Sequence, residues 1–370
     1  MLRRISIQNY KSILDDTIEL GRVNVFIGEN GCGKSNVLEA VAMAGAGAAD
    51  RLESEELFNR GIRLARPGLT LSAFAGVEQP KAMGFKLWPG PDFPTPLTVD
   101  LIGRAAREPS WKATINDFRR TFGELRKSLE AAPLLTVGDM TDFVDGVNNF
   151  VVYNISTLAL RGLNITSRKQ PLGIYGEGLD VAIAGLSDEL RRDLTARASC
   201  IAWMEDIVLD VGDRLKLQGF KPARSTSTLY FVDRFLTEGN YFSAENANEG
   251  ILHILFYLVL FCHPATPRMF GIDNIEAALN PQLCRDLMKQ VADLAKVHDK
   301  QALITTHNPA VLDGLNLNDD DQRLFVVERN DEGHTTTRRI TLKPDSGDGQ
   351  KYKLSELWMR GFLGGLPRGF

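Results

Sequence analysis

The chain has 370 residues and a mass of 41.0 kDa, enough for one large domain or two ordinary ones with a sizeable core. Hydrophobic residues at 44% and charged residues at 24% exclude a disordered, collagenous or coiled-coil chain, and 33 Gly with 16 Pro exclude low complexity. A formal charge of -4 excludes a protein that wraps nucleic acid by bulk charge and leaves only a local basic face for that role.

The opening residues read as strands over 2–7 and 17–20, followed by the β-branched and aromatic run Val23, Val25, Phe26 and Ile27. The N-terminus is charged and has no apolar core of the secretory kind, which predicts no signal peptide. After a glycine-rich turn, residues 34 to about 48 are rich in Ala, Leu and Val without Pro and predict a helix. Three strand-like runs follow at 69–77, 82–88 and 97–102. Trp111, Ile115, Phe118, Phe122, Leu125 and Leu129 recur at intervals of 4, 3, 4, 3 and 4, which predicts an amphipathic helix over 111–129 with Ser110 as its cap. Phe118 and Phe122 read as core. A second helix is predicted over about 188–211. The stretch 104–235 therefore reads as a mostly helical insertion between a lobe at 1–103 and a lobe at 236–370.

In the last lobe, residues 251–262 are the most apolar segment; twelve residues are too few to span a bilayer and fit a buried helix, so no membrane partner is expected. Residues 269–272 make a short strand ending in Asp273. A helix with Pro281 in its first turn covers 281–297, and a buried strand covers 302–305. Two strands flank Asn330-Asp-Glu-Gly333, a hairpin signal. Strands alternating with helices imply an α/β sheet. Cys32, Cys200, Cys262 and Cys284 form no C-x-x-C pair, which argues against a zinc hook and for a reducing cytoplasm.

The turn after the third strand, Gly28-Glu29-Asn30-Gly31-Cys32-Gly33-Lys34-Ser35, satisfies G-x-x-x-x-G-K-[ST]. Glycines let backbone N–H groups approach phosphate oxygens, and the following helix aims its positive end at them. Lys34 reaches the β- and γ-phosphates in such a loop, and the Ser35 hydroxyl sits on Mg²⁺. The cofactors implied are ATP and Mg²⁺.

The wider sequence carries more. Leu2-Arg-Arg-Ile-Ser-Ile-Gln-Asn-Tyr-Lys-Ser12, together with Phe26-Ile-Gly-Glu-Asn-Gly-Cys-Gly-Lys-Ser-Asn36, resembles the N-terminus of the RecF, SMC and OLD-like branch of ABC-type P-loop ATPases. The resemblance covers roughly 1–50 and 230–330. It implies an ABC-type head with a mixed sheet, Asn36 being part of its loop motif. Met269-Phe-Gly-Ile-Asp273 resembles the Walker B strand, whose Asp supports Mg²⁺. The branch usually places the water-orienting Glu next, where this chain has Asn274; Glu276 lies two residues on, in a stretch that looks like the D-loop. Two alternatives stand: Glu276 has taken over as base, or no base remains. Thr305-Thr-His307-Asn-Pro resembles the switch whose His senses the γ-phosphate. Asn248-Glu249-Gly250 occupies the place of the signature that caps the γ-phosphate of a partner subunit, where the branch more often has Ser-x-Gly. Gln79 is a weak match for the Q-loop glutamine.

Only 212 residues separate Ser35 from Asn248, too few for long SMC arms. The 63 residues after His307 are too few for a TOPRIM nuclease, so any nuclease is expected on another chain. Lys112, Arg119, Arg120, Arg126 and Lys127 give the first predicted inserted helix a basic character that suits DNA phosphates, a protein partner or plain solvation. The expected protein is a homodimer across ATP, slow in hydrolysis, in DNA transactions or antiviral defence with a separately encoded effector; the alternative is a catalytically weak ATP-dependent scaffold.

Overall fold

The computed structural model describes residues 1–90, 93–104, 110–116, 118, 137–163, 171–216, 226–341 and 352–366. The strands in chain order are β1 (Arg4–Tyr10), β2 (Ile13–Glu19), β3 (Val23–Ile27), β4 (Ala82–Trp88), β5 (Leu97–Arg104), β6 (Ser110–Ile115), β7 (Val151–Tyr153), β8 (Met204–Leu209), β9 (Leu229–Asp233), β10 (Tyr241–Ser243), β11 (Met269–Ile272), β12 (Gln301–Thr305), β13 (Gln322–Arg329) and β14 (Thr335–Ile340). The helices are α1 (Lys34–Ala48), α2 (Ser54–Asn59), α3 (Pro67–Thr70), α4 (Val137–Asn148), α5 (Thr157–Leu160), α6 (Leu179–Ala184), α7 (Asp188–Ala198), α8 (Glu249–Cys262), α9 (Pro281–Val297), α10 (Pro309–Leu312) and α11 (Leu354–Met359).

The central sheet runs β14-β13-β3-β12-β11-β7. Its strands β13, β3, β12, β11 and β7 are parallel and β14 is antiparallel, so the sheet is mixed. Every residue of β3, β11 and β12 is buried, which explains why they read as near-continuous apolar runs without alternation. The polar exceptions are paired: Asn24 accepts from the Gly21 amide at 2.7 Å and donates to the Ala302 carbonyl at 3.2 Å. A second, antiparallel sheet runs β2-β1-β4-β5-β6, and a third runs β10-β9-β8.

Helix α1 lies in the core between the first two sheets, and its composition follows from that place. At two of its positions only glycine fits. A Cβ on Gly45 would come within 2.1 Å of the Val147 carbonyl oxygen, and one on Gly47 within 2.7 Å of Val99 Cγ1. Helix α8 is buried after its first residue, as its apolar run requires, and packs with α9, α7 and α5 under the other face of the central sheet. Among the described residues no helix is long and apolar enough to cross a membrane.

Several expectations are corrected. Residues 69–77 form no strand: α3 ends at Thr70 and Leu71 makes a single bridge with Tyr10. Ser110–Ile115 is a strand, not the start of a helix. It pairs antiparallel with β5, Trp111 opposite Gly103, and Trp111 and Ala113 pack on the core. Pairing with β5 along the whole strand and an apolar contact on one face outweigh a helical spacing. The rest of that expected seam, with Phe122, Leu125, Leu129 and four of the five basic residues, lies outside the described residues; Phe118 is buried against Phe93 and Phe143. The expected helix over 188–211 stops at Ala198, and 204–209 is β8. Among the described residues 104–235 holds strands β6 to β9 as well as helices α4 to α7, and β7 pairs with β11 in the central sheet. The hairpin around Asn330–Gly333 forms as the sequence implies.

Candidate nucleotide-binding site

Parallel strands present their carboxyl ends on one side of a sheet, and loops there are the usual place for ligands. Here β3, β11 and β12 are neighbours, so the loops after them meet: the phosphate loop after β3, Asp273 after β11 and His307 after β12.

The phosphate loop is held by its glycines and by β14. Gly28, Gly31 and Gly33 have φ of 152°, 79° and 112°. A Cβ on Gly28 would lie 2.2 Å from the Val327 carbonyl, and one on Gly33 would lie 2.3 Å from Thr335 Oγ1. Thr335 donates its hydroxyl to the Cys32 carbonyl at 2.7 Å and shares a 2.7 Å bond with Ser12 Oγ. The Asn36 amide donates to Ser12 at 2.7 Å and accepts from Arg63 at 3.1 Å, so this side chain braces the loop. Cys32 is buried; its side chain fills the core, and only its backbone is left for a ligand. Glu29 is half-buried, and Asn30 and Gly31 are exposed at the loop tip.

Lys34 is the first residue of α1. Its ammonium donates to the Gly28 carbonyl at 2.9 Å and to the Glu29 carbonyl at 2.8 Å, which curls it over the loop. Burial lowers its pKa, against the opposing pull of Cys32 and Asp273. Ser35 donates to both carboxylate oxygens of Asp273 at 3.0 Å, across 238 residues of sequence. A hydroxyl and one carboxylate side by side are hard oxygen donors, and Mg²⁺ characteristically takes such a pair and fills its remaining positions with water and phosphate. The residues present therefore fit Mg²⁺ held by Ser35 and Asp273. Among the described residues no cluster of three or more His, Cys, Asp or Glu offers another metal site.

The sequence reading missed Thr305. Its hydroxyl donates to Asp273 Oδ1 and accepts from the Asn274 amide at 2.9 Å, locking the two residues after β11. Its sequence signal is the first Thr of Thr-Thr-His. Asn274 has φ 56° and Ala278 φ 60°, so the loop holding Glu276 is sharply turned at both ends. Glu276 Oε1 accepts from the His307 amide at 2.9 Å. The His307 ring is exposed, and its pKa is lowered by partial burial and by Lys34. Also missed was the Glu39 cluster: this buried carboxylate on α1 binds Lys11, Arg63 and, at 3.3 Å, the Tyr10 hydroxyl.

Asn248 caps α8, its side chain accepting from the Gly250 amide at 2.8 Å. Asn248 and Glu249 are exposed, and Gly250 packs beside the Ala278 carbonyl. Among the described residues no hydrogen bond joins this cap to the phosphate loop of the same chain. Gln79 is exposed and donates to the Gly68 carbonyl at 2.9 Å.

Two family models match. Residues 1–45 match "AAA ATPase domain" and residues 167–313 match "AAA domain, putative AbiEii toxin, Type IV TA system". No curated protein matches the chain. Among solved structures, an Smc head bound to the C-terminal winged-helix domain of ScpA has a TM-score of 0.55 at 11% identity, over 92% of this chain and 98% of that one. An Smc head with an extended coiled coil, bound to the C-terminal domain of ScpA from Pyrococcus furiosus, has a TM-score of 0.50 at 11% identity, over 92% and 96%. The two family matches are thus to AAA-type ATPase domains, and the fold is similar to that of Smc heads.

Proposed function

We propose that the chain binds Mg-ATP and dimerises head to tail around two nucleotides, with slow hydrolysis. The observation that carries this is the hydrogen bonding of Ser35 to Asp273, 238 residues apart, at the ends of β3 and β11, with Lys34 curled over the phosphate loop beside them. In this reading Gly28, Glu29, Asn30, Gly31, Cys32 and Gly33 offer backbone N–H groups to the phosphates, and Lys34 exchanges loop carbonyls for phosphate oxygens. Ser35 and Asp273 hold Mg²⁺, which neutralises phosphate charge when bound. His307 contacts the γ-phosphate. Asn248, Glu249 and Gly250 meet the nucleotide of the second copy. Asn274 orients water by a hydrogen bond and takes no proton, which is why turnover is slow.

The biological setting we infer is DNA transaction or antiviral defence in the cytoplasm, beside a separately encoded effector. The second family's description, which names a toxin of a toxin–antitoxin system, supports the defence setting. Asn274 itself favours the second reading, an ATP-dependent scaffold without a turnover role. Equilibrium binding of Mg-ATP tests the site. Lys34→Ala is expected to abolish γ-phosphate engagement; unchanged affinity in the folded variant refutes the assignment.

A further inference from the structure

The hairpin of β13 and β14 touches the phosphate loop twice. Arg329 is the last residue of β13 and Thr335 the first of β14, and the two face each other as the closing pair. Directly opposed residues of an antiparallel pair project their side chains from the same face. Both side chains reach the phosphate loop, at successive residues. Arg329 Nε donates to the Gly31 carbonyl at 3.2 Å, and the Thr335 hydroxyl donates to the Cys32 carbonyl at 2.7 Å. The turn behind them is a firm base. Arg329 Nη1 donates to the Gly333 carbonyl at 2.9 Å, the Gly333 amide donates to the Asn330 carbonyl at 2.9 Å, and the Asn330 side chain accepts from the His334 amide at 2.8 Å.

These two bonds set the direction of the loop amides. In a planar trans peptide the carbonyl and the following N–H point to opposite sides. Carbonyls of Gly31 and Cys32 drawn toward the hairpin therefore turn the N–H groups of Cys32 and Gly33 the other way. That way is the inside of the loop: the Cys32 amide lies 3.5 Å from the Glu29 carbonyl, the same carbonyl that the Lys34 ammonium reaches at 2.8 Å. A length of 3.5 Å is beyond the usual range for such a bond, so the Cys32 amide is readily given up to a better acceptor. Inward N–H groups beside an ammonium suit phosphate oxygens.

The two contacts differ in what backs them. Thr335 is buried and packs against Gly33, whereas Gly31 is exposed at the tip with φ 79°, and a Cβ on it would meet nothing within 4 Å. Packing does not fix the tip on that side; the guanidinium of Arg329 does. We propose that Arg329 is a positioning residue of the nucleotide site: by holding the Gly31 carbonyl outward it presets the Cys32 amide for phosphate. The proposal rests on the nucleotide-binding reading above and adds to it a residue 298 positions beyond Gly31, outside every motif of the site. Arg329 acts through the loop and not on the ligand. It places the ordering of the tip in folding, so that less order is lost on binding. Loop amides of this kind cradle the phosphates that ADP and ATP share, so Arg329 serves both nucleotides equally.

The experiment compares the full-length wild type with Arg329→Ala and Arg329→Lys, with Mg-ADP and a non-hydrolysable Mg-ATP analogue as ligands. Arg329→Ala removes an exposed side chain, so it is expected to fold with a melting midpoint near that of the wild type without nucleotide. Its affinity falls about tenfold, by the same factor for both ligands, the order of the cost of fixing one backbone residue on binding. Hydrogen exchange of the amides in 28–33, without nucleotide, becomes faster. Arg329→Lys still carries a donor for the Gly31 carbonyl and recovers most of the loss. Unchanged affinity in Arg329→Ala overturns the proposal while leaving the site intact. So does a loss confined to the ATP analogue, which marks a contact to the γ-phosphate, and so does a loss that Arg329→Lys does not recover and that follows a lowered melting midpoint. A wild type that binds neither nucleotide refutes the site itself, and the role of Arg329 with it.

Discussion

Asn274 shows what a single side chain decides. Its backbone amide donates to Thr305, its carbonyl accepts from the Ala277 amide at 3.1 Å, and its φ is 56°, a conformation Asn tolerates better than most residues. The bonds that hold this backbone do not involve the side chain, which is left to set the chemistry. A positioned general base is worth roughly 10²–10⁴ in rate. Asn274→Glu is therefore expected to raise ATP turnover by about 10² or more in a steady-state phosphate-release assay. A stability loss of about 1–2 kcal/mol should accompany it, since Glu is less at ease in the left-handed region. If the folded variant turns over at the wild-type rate, the base is supplied by another group, and Asn274 does not limit the reaction.

At the scale of elements, α8 is the most informative. A helix buried all round must carry its polar groups neutral or paired, and His253 is neutral: burial pushes its pKa down to about 4 from 6.5. The unfolded chain takes up a proton below pH 6.5, and the folded protein does not until about pH 4. The unfolded state binds more protons across that window, so stability is full above it and falls as pH drops through it. One proton corresponds to about 1.4 kcal/mol per pH unit at most. His253→Leu is expected to flatten the pH dependence of urea unfolding between pH 6.5 and 4, and an unaltered slope would place the acid-sensitive group elsewhere. The same helix was legible in the sequence, as were α1 and the strands β3, β11 and β12, because full burial leaves apolar runs; α9 was legible from Pro281 in its first turn, whereas β7 was not foreseen. Trp111 misled because its spacing to Ile115 and Phe118 suits a helix, whereas its strand depends on β5, a pairing that no local pattern encodes. The site was legible where a motif compresses it into eight residues. The supports were not: Thr335, Ser12, Thr305 and Glu39 act through contacts made by the folded sheets.

Among the described residues of the whole molecule no hydrogen bond joins the phosphate loop to the cap of α8. Lys34, Ser35 and Asp273 gather at the ends of the parallel strands, while Asn248 and Glu249 sit exposed at the start of α8 beside the Ala278 loop. A helix N-terminus carries partial positive charge and free N–H groups, which suit a phosphate. Since the cap makes no hydrogen bond to the phosphate loop of its own chain, a second copy is the simplest source of that phosphate. Two copies related by a two-fold axis satisfy both ends at once, and such an isologous pairing closes without forming filaments. Light scattering is therefore expected to give a monomer without nucleotide and a dimer with a non-hydrolysable Mg-ATP analogue. Lys34→Ala should remain monomeric in both conditions, since the γ-phosphate is the group the partner's cap would bind. A wild type that is monomeric with the analogue at saturating concentration excludes the sandwich. A dimer that forms equally without nucleotide, and in Lys34→Ala, assigns the interface to a surface other than the cap of α8.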